Sequence, residues 1–208
     1  MSKPVVFLVP CLFYPENGTF DDHLKQAEQS LKSIKERVSN CTRIFIVFQT
    51  LTIEQKFRLS QHFEYFFDLT GNNVATMLAK QKSIGDIILL YFAVNQLLQM
   101  GSEFRSLFVL NSRYLLNASF KVQEFPVNKF TFRQEVNETG RYFLTSLYCI
   151  GDKGNLWNFQ NLLFHSLVRL FSGEIDSEHS FRAILPDNTL YLKSELGIST
   201  AGQPIRHV

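Results

Sequence analysis

At 208 residues the chain is long enough for one compact domain with a substantial core, and 45% apolar against 19% charged residues excludes a largely disordered polypeptide. A formal charge of +2, a pI near 8.4 and the lack of any Lys/Arg run argue against a nucleic-acid-binding surface. With 21 phenylalanines, aromatic packing is expected to dominate the core.

The opening stretch MSKPVVFLVPCLFYP is too short for a membrane span and a poor signal peptide, since Pro10 interrupts its apolar run. It reads as a first strand, Pro4 to Val9, apolar throughout and so covered on both faces. Cys11, Cys41 and Cys149 have no metal-type spacing and suit free thiols in a reducing compartment, which makes cytoplasm the simplest address. Asn-x-Ser/Thr triplets at Asn17, Asn40, Asn117 and Asn137 are read as coincidental.

Thr19 to Asp22 has capping-box form, and Leu24, Ala27, Leu31, Ile34 and Val38 then give one apolar stripe on a helix ending near Ser39 and Asn40. Arg43 to Phe48 follows as the second strand, completing a βαβ unit that fixes an α/β class. Thr52 with Gln55 caps a helix through about His62. Tyr65 to Leu69 is a third strand, and Thr70 to Asn73 a turn. Beyond Gly85, Ile87 to Leu98 is a buried helix stopped by Gly101, and Ser106 to Leu110 is a buried strand. After Phe120 the pattern loosens around Phe125, Phe130 and Phe132. A strand at Tyr142 to Ile150, an amphipathic helix from Leu156 to Leu170 and a short strand at Thr189 to Leu192 complete the reading.

Several constellations could carry chemistry. Asn111, Ser112, Arg113 and Tyr114 follow a buried strand directly, and open α/β sheets build ligand sites outside such carboxyl ends. The plainer reading is a turn in which Asn111 and Ser112 satisfy the backbone and Arg113 is solvated. Lys80, Gln81, Lys82, Ser83, Gly85 and Asp86 form a cationic, glycine-containing start to the apolar helix, suited to a phosphate. Their plainer role is a solvated loop and helix cap.

Glu174, Asp176, Glu178 and His179 are the densest polar group: carboxylates there could deprotonate an acceptor hydroxyl or ligate a divalent cation, with His179 assisting. Alternatively Asp176 simply caps a helix holding Phe181 and Ile184. Within the later strand, alternation sends Thr145 and Leu147 to one face and Ser146 and Tyr148 to the other. His23, His62, His165 and His207 are read as structural or surface residues, and no Gly-x-Gly-x-x-Gly, nucleophile elbow or zinc signature is present.

Taken in order, three blocks resemble small GT-A-type glycosyltransferases, particularly those of bacterial surface-polysaccharide loci and some large viruses. They are Lys82-Ser-Ile-Gly85-Asp86 leading into an apolar helix; Leu110-Asn-Ser-Arg-Tyr-Leu-Leu-Asn117, with Ser112 where glycine is usual; and Thr145-Ser-Leu-Tyr148 with Asp176-Ser-Glu-His179. The resemblance covers roughly residues 80 to 203, including the tail from Leu196 and Gly197 through Gly202.

That resemblance implies a Rossmann-like, mostly parallel mixed sheet flanked by helices, in one domain of residues 1–208. Residues to about 118 would hold a nucleotide-sugar donor, and those from about 119 would bind a saccharide or lipid-linked acceptor. It further implies Lys82, Asn111, Ser112, Arg113 and Tyr114 at the donor, Asp176 or Glu178 as base, and His179, Thr145 and Tyr148 in acceptor binding or support. The family's usual Asp-x-Asp for Mn or Mg does not occur here. Either Arg113 and Lys82 neutralise the leaving group, or the Glu174 to His179 cluster supplies an unusual metal site. Rival readings are a non-catalytic nucleotide-sugar or glycan-binding domain and a nucleotidyltransferase.

Overall fold

The first strand, β1 (Val5–Cys11), is buried at every position because the sheet is covered on both sides. Val5, Phe7, Val9 and Cys11 enter one core layer, and Val6 and Leu8 enter the other. The computed structural model describes residues 3–11, 18–38, 42–48, 51–63, 65–78, 82–101, 103–173 and 176–200. Cys41, Lys80, Gln81, Glu174 and the tail beyond Thr200 lie outside the described residues.

After β1 come α1 (Phe20–Arg37), β2 (Thr42–Phe48), α2 (Ile53–Ser60), β3 (Tyr65–Asp68), α3 (Asn73–Leu78), α4 (Lys82–Gln99), β4 (Ser106–Leu110) and β5 (Tyr114–Leu116). The second half contains β6 (Phe130–Asn137), β7 (Gly140–Gly151), α5 (Leu156–Phe171), α6 (Ser177–Ile184), β8 (Leu190–Leu192) and β9 (Ile198–Thr200). Among the described residues seven strands form one sheet in the order β3-β2-β1-β4-β7-β6-β8, while β5 and β9 form a small antiparallel pair. The four strands from β3 to β4 are mutually parallel, β7 runs against both β4 and β6, and β8 is parallel to β6.

Both predicted capping boxes form. Thr19 and Asp22 exchange bonds at the start of α1, as do Thr52 and Gln55 at the start of α2. Helix α1 packs against one face of the sheet, and its buried Ser33 Oγ accepts the Leu116 N–H at 2.9 Å, tying β5 to the helix. On the other face lie α4, α5 and α6. Aromatic stacking organises that layer: the Phe132 ring lies 4.7 Å from Phe143 and 5.0 Å from Tyr148. Among the described residues no helix is long and apolar enough to cross a membrane.

Four elements depart from the sequence reading. Asn73 begins the short helix α3 rather than ending a turn. Strand β6 is a full hairpin partner of β7, and its Phe130 and Phe132 are buried. β5 and β9, three residues each, find one another across the chain, with no local signal strong enough to announce them.

Candidate active site

A cleft of about 310 Å³ opens at the carboxyl ends of the parallel strands, beside the point where β1 has β2 on one side and β4 on the other. Four segments meet there: Ser83 and Asp86 from α4, Asn111, Arg113 and Tyr114 after β4, Leu144 to Ser146 of β7, and Asp176 to Glu178 at the start of α6. Crevices at such strand ends are where open α/β sheets hold ligands.

Asn111 builds the turn after β4. Its N–H donates to the Ser146 carbonyl at 3.0 Å, its carbonyl accepts from Tyr114 N at 2.9 Å, and its Oδ1 accepts from Arg113 N at 3.1 Å. The plain turn reading is therefore what this residue does locally, while its position also places it on the cleft wall. Ser112 points to Cys11, whose thiol is pushed up to about 12 by burial and lowered in part by the Ser112 hydrogen bond. The exposed Arg113 guanidinium has no ion-pair partner among the described residues.

The pairing of β7 with β6 jumps between Thr131↔Cys149 and Arg133↔Leu144, so β7 carries extra residues over this interval. On its other side Leu147 faces Leu110, Tyr148 faces Val109 and Cys149 faces Phe108, before a register shift between Leu107 and Phe108. The irregularity against β6 leaves the Thr145 backbone free to turn toward α6. Both Thr145 N–H, at 2.9 Å, and Thr145 Oγ1, at 3.0 Å, donate to Glu178 Oε1. Alternation holds for Leu147 and Tyr148, which lie in opposite core layers, but Thr145 shares a cavity wall with Tyr148 rather than following Leu147.

Asp176 is the N-cap of α6, as the simpler sequence reading had it: Oδ1 accepts from His179 N at 2.9 Å and lies 2.8 Å from His179 Nδ1. His179 is buried under the hairpin, its Nε2 2.8 Å from Thr139 Oγ1 and its ring stacked on Tyr142 at 5.2 Å. Each carboxylate has one oxygen held by these bonds. The second oxygen of Asp176 and of Glu178 enters no hydrogen bond among the described residues, and both side chains line the cleft.

Below the cleft a small annex of about 20 Å³, room for one water, adjoins the fully buried Tyr148. Burial, and secondarily the charge of Asp86, raise the Tyr148 phenol well above its ordinary value, so it is a donor. Tyr148 Oη and Ser146 Oγ are buried without a hydrogen-bond partner among the described residues, the kind of orphaned group that a ligand or water completes. The backbone of Lys82 opens α4; its side chain is outside the described set. Leu144 and Ser177 also line the cleft and carried no sequence signal.

No three His, Cys, Asp or Glu side chains among the described residues are grouped to hold a metal ion.

Solved structures that superpose on this chain include glycosyltransferases. The bifunctional glycosyltransferase WbbM matches with TM-score 0.55 and 10% identity over 92% of this chain and 38% of its own. The galactosyltransferase LgtC, solved with donor and acceptor sugar analogs, matches with TM-score 0.55 and 12% identity over 91% of this chain and 72% of its own. Mouse xyloside xylosyltransferase 1 matches with TM-score 0.51 and 9% identity over 93% and 85%. The fold is of the GT-A type. This chain thus spans well under half of WbbM and most of LgtC. No family model matches the sequence, and no curated protein matches it.

Proposed function

We propose that this GT-A-fold chain is a hexosyltransferase that moves a sugar from a nucleotide donor to a hydroxyl of a saccharide acceptor, free or lipid-linked, in cytoplasmic glycan or surface-polysaccharide synthesis. The observation that carries this reading is the convergence of Asn111, Arg113 and Tyr114 with Asp176 and Glu178 on one cleft, in a fold shared with glycosyltransferases. The half through about residue 118 holds the donor, and the later half holds the acceptor.

In this reading Arg113, with Lys82 at the opening of α4, lies against the diphosphate and offsets its charge. Asn111 and Tyr114 contact the donor sugar, and Ser112 fixes the turn from behind. Glu178 is the base: Thr145 holds Oε1, and the other oxygen takes the acceptor proton. As that proton leaves, the acceptor oxygen bonds to the anomeric carbon. The bond from that carbon to the diphosphate breaks, and its electron pair departs with the nucleoside diphosphate. Asp176 and His179 hold the first turn of α6 so that Glu178 faces the cleft, and Tyr148 supports the floor.

The test is a thermal-shift screen against nucleotide sugars, with and without Mn, followed by transfer assays with the stabilising donor. One donor should raise the melting temperature of the native protein and of Glu178→Gln alike, while Glu178→Gln lowers transfer by roughly a hundredfold or more. Transfer unchanged in that variant removes Glu178 from the role of base. If no donor stabilises the protein and no transfer is seen, the enzyme reading fails.

A further inference from the structure

A second cavity, of about 450 Å³, lies at the edge of the sheet opposite the cleft. The cleft sits beyond the carboxyl end of β4; this cavity begins at Phe130, the first residue of β6, and β6 runs in the same direction as β4 because both are antiparallel to β7. Its size falls within the about 300–1,000 Å³ of small-molecule sites.

The lining is chemically unusual. Five asparagines face it: Asn128, Asn155, Asn158, Asn161 and Asn188. Their side chains are committed to no hydrogen bond among the described residues, and Asn155 Nδ2 is fully buried with no partner. Asn158, Asn161 and His165 recur at three- and four-residue steps, so one face of α5 presents them together. Between them lie the buried Phe130, Leu162 and Leu185, with Pro186 at the rim. Among the described residues no carboxylate contributes, and Lys129 and His165 are the lining groups able to carry charge.

An amide offers two donors and two acceptor lone pairs without charge, which matches neighbouring hydroxyls, each donor and acceptor at once. A wall made mainly of neutral amides offers a cation no carboxylate partner, and apolar side chains between the amides suit the C–H face of a sugar ring. We propose that this cavity binds a neutral saccharide, a distal unit of the acceptor chain. Its identification with the acceptor rests on the transferase reading. Helix α6 runs from the cleft, which Glu178 lines, to this cavity, which Ile184 lines, so the facing walls lie roughly 9 Å apart at about 1.5 Å per residue, and the two centres lie further apart than that. Only an acceptor of several sugar units reaches both, so the asparagine cavity selects for chain length.

The test uses isotope-labelled full chain titrated with neutral hexasaccharides (maltohexaose, xylohexaose and chitohexaose), with an uncharged extended peptide as comparison, following the asparagine side-chain NH2 resonances. At least one hexasaccharide should shift those resonances, and the double variant Asn158→Leu, Asn161→Leu should bind it about tenfold more weakly, the scale of two lost neutral hydrogen-bonding groups. Leucine is a good helix former at these exposed positions of α5, so the fold is kept. In transfer assays that double variant should raise KM for long acceptors and leave transfer to monosaccharide acceptors unchanged. The proposal is overturned if no hexasaccharide moves the asparagine signals, if only the peptide does, or if hexasaccharide shifts are confined to the cleft and vanish in Glu178→Gln. Persisting asparagine shifts in a protein that transfers no sugar would sink the enzyme reading and leave this site standing.

Discussion

Asp176 uses one oxygen to cap α6 and to hold His179, so its charge and its hydrogen-bonding shape can be separated by substitution. Asparagine is as good an N-cap as aspartate, whereas alanine leaves the His179 N–H without its acceptor. Asp176→Asn should therefore unfold in urea near the parent midpoint, and Asp176→Ala should lose about 1 kcal/mol. Equal losses in both would mean that the carboxylate charge, not the cap, stabilises this turn. At this scale much was legible. A carboxylate three residues before His179 reads as a cap from sequence alone, and Asn137 and Asn117, which looked like modification triplets, are turn residues whose Oδ1 accepts from Thr139 and Ser119. What could not be read was Thr145 turning its own N–H onto Glu178, because that depends on extra residues in β7 relative to β6.

The elements divide by whether their signal is local. Helices α1 and α2 were legible to their first residues, since a capping box is written within four positions. Strand β6 was missed although Phe130, Phe132 and Val136 alternate with Thr131, Arg133 and Glu135. Its far half faces solvent, so the apolar run fades there. The β5–β9 pair depends on Gly197, which adopts φ +72 and sits so close to Phe120 that an added Cβ would lie 2.6 Å from Phe120 Cα. The Gly197 carbonyl accepts Asn117 N at 2.9 Å, and Asn117 Nδ2 donates to the Ile198 carbonyl at 3.0 Å, so the glycine fixes where the tail joins. Gly197→Ala should cost about 1–3 kcal/mol from the backbone conformation, with the clash against Phe120 adding to it. Hydrogen exchange should show Leu116 and Ile198 losing protection first. An alanine variant as stable as the parent would mean that β9 rests on its side chains, not on this turn.

Across the whole molecule, the amino-terminal ends of β1 and β4 and the adjoining end of β7 are clasped by charge where the carboxyl-terminal edge opens as the cleft. Glu103, just before β4, bonds Lys153 after β7 at 2.7 Å and Lys3 before β1 at 3.0 Å, so three neighbouring strands are tied by one carboxylate. The Lys153 hydrogen bond first, then that of Lys3, holds the Glu103 carboxyl below its ordinary 4.5. A lowered carboxylate contributes stability that is fully present above its unfolded pKa and is lost as pH falls through the folded value. The parent should therefore melt above Glu103→Gln at pH 6 to 8, and the gap should close as pH drops below about 4.5 toward 3. Because the carboxylate is 55% exposed, 0.5 M NaCl should shrink the gap at pH 7 as well. A gap that is unchanged by acid and salt would show that Glu103 acts through packing of its side chain, and that the clasp across these three strands is not electrostatic.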